Sequence, residues 1–83
     1  NPLRSGDSLE VKISSRKEIK KTIIQLFTLA GTQVARKEEQ ILGNPVYLSL
    51  DTGHLSKGVY IVQAEIFNTD DTREKARSLL LIL

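Results

Sequence analysis

The 83-residue chain has no cysteine, no tryptophan and no methionine, and only two prolines and five glycines. Without cysteine, no disulfide or thiolate-held metal stabilises it, and it needs no oxidation to fold. With a single histidine, His54, no Cys–His couple and no multi-histidine metal set can be built. Twelve Lys and Arg against ten Asp and Glu leave a net charge of +2. That excess is too small and too evenly spread to argue for nucleic acid. The longest apolar run, 79–83, falls far short of the ~18–20 residues that cross a bilayer as a helix. No signal peptide is recognisable, so export would rely on a signal elsewhere in a longer precursor. The length predicts one domain, 1–83, burying roughly 60% of its unfolded surface and holding a thin stability margin.

What the chain does have is alternation. Residues 50–67 are its organising stretch: turn chemistry at Asp51, Thr52, Gly53, Ser56 and Gly58 leads into a strand. In that strand Tyr60, Val62, Ala64 and Ile66 make one apolar face, while Val59 and Ile61 share the other with Gln63 and Glu65. Such a strand belongs in the middle of a sheet. Residues 8–14 alternate as well, with Leu9, Val11 and Ile13 on one side. Residues 22–27 put Ile24 and Leu26 inward, with Ile23 and Phe27 opposite. Val34 is the one inward residue of a polar strand over 33–39, suited to a sheet edge. Val46, Leu48 and Leu50 alternate with Tyr47 and Ser49.

Between these lie connections. Asn1-Pro2 is a rigid extended opening, and Arg4-Ser5-Gly6-Asp7 reads as a turn. The charge-rich stretch 15–21 reads as a solvated hairpin connection; an anionic-partner patch is the sharper alternative, but no aromatics interleave the charges. Gly31 is placed to take positive φ in the turn 28–32, Gly43-Asn44-Pro45 breaks the chain, and 68–72 is a polar hairpin tip. Residues 73–83 are ambiguous. Glu74, Lys75, Ala76 and Arg77 favour helix, whereas the regular strand–turn spacing favours another strand, which we adopt.

Candidate chemistry is sparse. His54 in a turn reads as a surface side chain. Asp70 and Asp71 lack the spaced Asp/Asn/Gly loop of a calcium site, and there is neither a phosphate loop nor a serine elbow. Tyr47, Tyr60, Phe27 and Phe67 read as packing residues rather than sugar platforms. No catalytic residue, metal ligand or cofactor is therefore assigned. Enzyme is the weakest class.

Three pieces in order carry a resemblance. They are Asn1-Pro2 followed by Gly6 and an apolar strand; the run Leu26, Leu29, Gly31 and Val34; and Leu50, then Leu55, Gly58, Tyr60 and Val62. Together they resemble the type A C-terminal sorting domains of the type IX (Por) secretion system. The departures are Phe27 and Thr28, where Tyr and Asp are usual, and the ending Leu-Leu-Leu-Ile-Leu, where many members finish on Lys or Arg.

The resemblance implies an all-β fold, a small antiparallel Ig-like β-sandwich of six or seven strands, at the C-terminus of a Bacteroidetes cargo protein. It implies that the cargo is exported to the periplasm and crosses the outer membrane to the cell surface or beyond. The implied partners are the type IX translocon, a sortase-like peptidase that cuts upstream of the fold, and an N-terminal cargo domain, with no nucleic acid and no small-molecule substrate. A generic Ig-like stalk or adhesion module is the competing role. For recognition, the expected elements are the terminal strand, with Leu79, Leu80, Leu81, Ile82 and Leu83 apolar on both faces, and the loop 51–57. The alternative for those five is a central strand buried on both sides.

Overall fold

In the computed structural model every regular element among the described residues is a strand, as the period-two patterning dictates. The structure describes residues 2–3, 6 and 8–83, with the backbone alone at 2 and 3. The expected extended Asn1, and Arg4, Ser5 and Asp7 of the expected turn, lie outside the described residues. Seven strands follow in order: β1 (Pro2–Leu3), β2 (Ser8–Ile13), β3 (Ile19–Thr28), β4 (Gln33–Glu39), β5 (Val46–Asp51), β6 (Gly58–Asn68) and β7 (Arg73–Ile82). They form a five-stranded sheet, β1-β7-β6-β3-β4, and a two-stranded sheet, β2-β5. All pairings are antiparallel except the short β1–β7 contact, which is parallel. This is the small Ig-like sandwich expected, with six long strands and a two-residue seventh.

The core fills the space between the sheets. From the small sheet come Ile13, Val46, Leu48 and Leu50; from the large one come Ile19, Ile24, Leu26, Tyr60, Ile66, Leu80 and Ile82. Leu55, from the loop before β6, closes one end. A buried threonine, Thr22, sits on the same inward face of β3 as Ile24 and Leu26, and its hydroxyl lacks a hydrogen-bond partner. β6 is central, between β7 and β3, and β4 is the polar edge. At β4 a bulge opposite Leu26 and Phe27 lets both Val34 and Ala35 lean on the core.

Two of the hairpin turns share one geometry. In the first, Thr28 N–H donates to Thr32 O (2.8 Å) and Gly31 N–H to Thr28 O (2.9 Å); in the second, Asn68 N–H donates to Thr72 O (2.9 Å) and Asp71 N–H to Asn68 O (3.0 Å). Both need a left-handed residue at the fourth position: Gly31 at φ 93° and Asp71 at φ 68°. Aspartate tolerates that region better than most side chains do.

Some expectations are corrected. Residues 15–21 do not connect a hairpin, because β2 pairs with β5 and the chain crosses from one sheet to the other before β3. β3 also starts earlier than the charge pattern suggests, since Ile19 is fully buried amid charged neighbours. Tyr47 points to solvent at 68% exposure instead of packing. The chain's last segment is the strand adopted for it, and its alternatives fall away. Residues 73–82 form no helix: cross-strand pairing with β6 from Phe67↔Arg73 to Gly58↔Ile82 overrides local propensity. Nor is the terminal strand buried on both sides, for only Leu80 and Ile82 are in the core.

Candidate recognition surface

β7 lies near one edge of the large sheet, and among the described residues β1 covers it only opposite Leu81 and Ile82. Alternation along β7 therefore splits the five apolar residues at its end. Leu80 and Ile82 are 2% exposed, whereas Leu79, Leu81 and Leu83 are 65%, 40% and 52% exposed. The register places Leu79 beside Ile61, which is beside Phe27, and Leu81 beside Val59. An apolar corner results on the outward face of the sheet. It covers the ends of three strands.

A row of amides bounds that corner. Gln25 Nε2 donates to Gln33 Oε1 (2.8 Å), Gln63 Nε2 to Gln25 Oε1 (3.1 Å), and Arg77 Nε to Gln63 Oε1 (2.9 Å). The relay crosses four strands, β7 to β4: Arg77, Gln63 and Gln25 lie at one height, and Gln33, opposite Phe27, joins them from two residues along. Sequence reading missed it, because equal height on adjacent strands is visible only once register is known. Beyond this row the outer face is charged. The Lys21 ammonium lies 4.2 Å from the Phe67 ring centre, and Arg73 is 3.7 Å from Glu65 and stacks near the same ring.

The charge-rich crossover meets the β6–β7 tip at the far end. Lys17 pairs with Asp70 and Lys20 with Asp71, each at 2.7 Å. Ser15 Oγ–H donates to Glu74, and the buried Asn68 donates to Glu74 (3.0 Å) and Thr72 (3.1 Å). Asn44 Nδ2–H donates to Ser15 O (2.6 Å) and Lys17 O (3.0 Å), tying the β4–β5 loop to the same end. Lys17 and Lys20 stay solvent-exposed, as the solvated reading expects, while pairing with the tip aspartates.

Two carboxyls are shifted by these contacts. Asp70 is held well below the usual value of 3.8, first by Lys17 and then by Thr72. Glu74 is lowered by the Ser15 hydroxyl and then by Asn68. A carboxylate with a depressed folded-state pKa stabilises the fold above its unfolded value and loses that contribution as pH falls. We expect the thermal midpoint to drop on acidification from about pH 5 to pH 2, and the Asp70→Asn/Glu74→Gln variant to show a flatter response. Calorimetry across that range checks this.

Most residues that carried the resemblance are scaffold. Leu26, Leu50, Leu55 and Tyr60 meet in the core, where Tyr60 also donates its hydroxyl hydrogen to Ser56 O (2.7 Å). Gly6, Gly31 and Gly58 all have positive φ, Val34 sits at the bulge, and Val62 is half-buried against the core. Pro2 is in β1, Leu29 is exposed in a turn, and Asn1 is not described. In the loop 51–57, Thr52 and Leu55 are buried, leaving Asp51, Gly53, His54, Ser56 and Lys57 outward. His54 Nε2 lies 3.4 Å from Val34 O. Among the described residues, no three His, Cys, Asp or Glu side chains group as a metal site would require.

This sandwich, whose motif residues hold turns and core, matches the family described as secretion system C-terminal sorting domain over residues 1–76. The chain belongs to that family. Its domains take part in type IX secretion, mark secreted or cell-surface cargo, and are in general not catalysts. The match ends part-way along β7, so the apolar corner's leucines lie beyond it. No curated protein matches the chain.

Proposed function

We propose that residues 1–83 are a single, non-catalytic sorting module that follows a cargo domain and directs it through the outer membrane to the cell surface. The family match over residues 1–76 carries this reading. Removal by a sortase-like peptidase upstream of the fold completes it. A translocon serving unrelated cargoes must read a folded shape common to them all. The outward leucines Leu79, Leu81 and Leu83, with Val59 and Ile61 beside them, are the surface we assign to that contact. The exposed part of the loop 51–57 is its second element, whereas Leu80 and Ile82 serve the core.

Fusing the chain to an exported reporter tests the role. Display is expected in a type IX-competent cell and loss of display in a strain lacking the translocon. Equal display in both would overturn the reading. A folded reporter retained in the periplasm of the competent cell would favour the stalk or adhesion role.

A further inference from the structure

A sheet edge offers unpaired backbone groups, and proteins guard it with charge. The large sheet guards its two sides differently. β4 carries both signs and neutralises them locally: Arg36 pairs with Glu38 at 2.9 Å and Lys37 with Glu39 at 3.5 Å. Lys37 also donates to Ser49 O, which ties that edge to β5. On β7 the outward face carries a single sign. Alternation and the register with β6 place Arg73, Lys75 and Arg77 there, in line with Leu79, and all are exposed.

The acids within reach do not balance these cations. Glu65 of β6 is the register partner of Lys75 and also lies 3.7 Å from Arg73, so one carboxylate serves two cations. Arg77 has an uncharged partner, donating from Nε to Gln63. Glu74 alternates to the other face, where Ser15 and Asn68 hold it. Glu38 is paired with Arg36, and the tip aspartates with Lys17 and Lys20. Lys21, over Phe67 on the outward face, adds a further positive charge.

The backbone beside the cations is free as well. β6 pairs with β7 from Phe67↔Arg73 to Gly58↔Ile82, but among the described residues β1 meets β7 only opposite Leu81 and Ile82. In an antiparallel ladder alternate residues turn their N–H and C=O away from the partner, so between Arg73 and Leu80 β7 presents unpaired groups outward. Charge alone would suit any polyanion; the unpaired backbone suits an extended peptide. A second copy is a poor occupant. Antiparallel pairing of β7 with β7 about any centre from 73 to 77 sets cation against cation, as Lys75 against Arg77 about Ala76.

We propose that the free edge of β7 binds an extended acidic peptide in trans, antiparallel to β7, with carboxylates at alternate positions opposite Arg73, Lys75 and Arg77 and an apolar residue opposite Leu79. The antiparallel sense continues the run β4-β3-β6-β7, in which every pairing is antiparallel. Charges that turn away a neutral or basic strand admit this one. The inference goes beyond the sorting role and does not rest on it.

The test uses the purified chain and the end-blocked peptide Leu-Ser-Glu-Thr-Glu-Thr-Glu, which spans 79 to 73 in antiparallel register. At low ionic strength it is expected to slow amide exchange at alternate residues of 73–79. It should bind about tenfold more tightly than the same peptide with lysine in place of glutamate. A scrambled peptide with its glutamates consecutive cannot set them all on one face and should bind several-fold more weakly. Lys75→Glu/Arg77→Glu, its fold checked by the unfolding midpoint, should prefer the lysine peptide; the scrambled peptide decides the matter should that variant unfold. Equal binding of the ordered and scrambled peptides would overturn the proposal, as attraction of any polyanion. So would exchange slowed at β2 or β4 instead of β7, self-association through β7, or no binding at millimolar peptide. Each readout is independent of export, so its failure leaves the sorting role untouched.

Discussion

Leu26→Ala is expected to remove about 3 kcal/mol of stability and to lower the thermal midpoint by roughly 15 °C. Leu26 is fully buried between the sheets, beside the β4 bulge that brings Val34 and Ala35 onto the core. A bulge is a poor place to heal a void, because its backbone is already displaced from regular pairing. The loss is large for a chain whose whole stability is about 4–12 kcal/mol. Leu29→Ala provides the contrast. It lies three residues away in the same motif, yet it is 65% exposed in a turn, and its replacement should shift stability by less than about 0.5 kcal/mol. Denaturant titration of both variants decides the matter; equal losses would mean that the motif's leucines do not divide between core and surface.

The second large effect separates recognition from folding within a single strand. Leu79→Ser/Leu81→Ser should leave the sandwich folded, with a loss below about 1 kcal/mol, because both side chains face solvent. Surface display of a fused cargo should nevertheless fall about tenfold or more, as removal of anchoring leucines from a contact costs at least about 1.4 kcal/mol. Leu80→Ala should do the reverse in origin: about 3 kcal/mol of stability lost, and display reduced only through unfolding. Deleting 79–83 cannot make this distinction, since it removes Leu80 and Ile82 from the core together with the exposed leucines. The measurement is cell-surface reporter signal alongside the unfolding midpoint of each purified variant. Full display by the double serine variant would remove the apolar corner from the recognition surface.

Legibility in the sequence tracked how much of each element's environment is local. Strands β2, β5 and β6 alternate because one face is buried and the other is not, so Leu9, Leu48 and Tyr60 announce their side at once. The two turns were readable from Gly31 and the run 68–72. Ile19 was not, because one apolar residue among lysines has no period to belong to. The division into five strands and two was hidden for a related reason. Nothing in 15–21 distinguishes a hairpin from a crossing between sheets, and that choice is made by β5, which takes β2 as its partner. The five apolar residues at the end of the chain looked alike in sequence. Only the fold, which packs one face of the large sheet on the core and leaves the other in solvent, separates Leu80 and Ile82 from Leu79, Leu81 and Leu83.

The parallel contact of Pro2 and Leu3 with Leu81 and Ile82 has a mechanical consequence. Tension applied at residue 2 and resisted at residue 82 runs along both strands and loads their few hydrogen bonds in shear. The pairings of β6, β3 and β4 and the small sheet lie off that line of load until the latch parts. A bulky passenger dragged from one end while the other is gripped would thus strain a small, re-formable clasp before anything that keeps the domain folded.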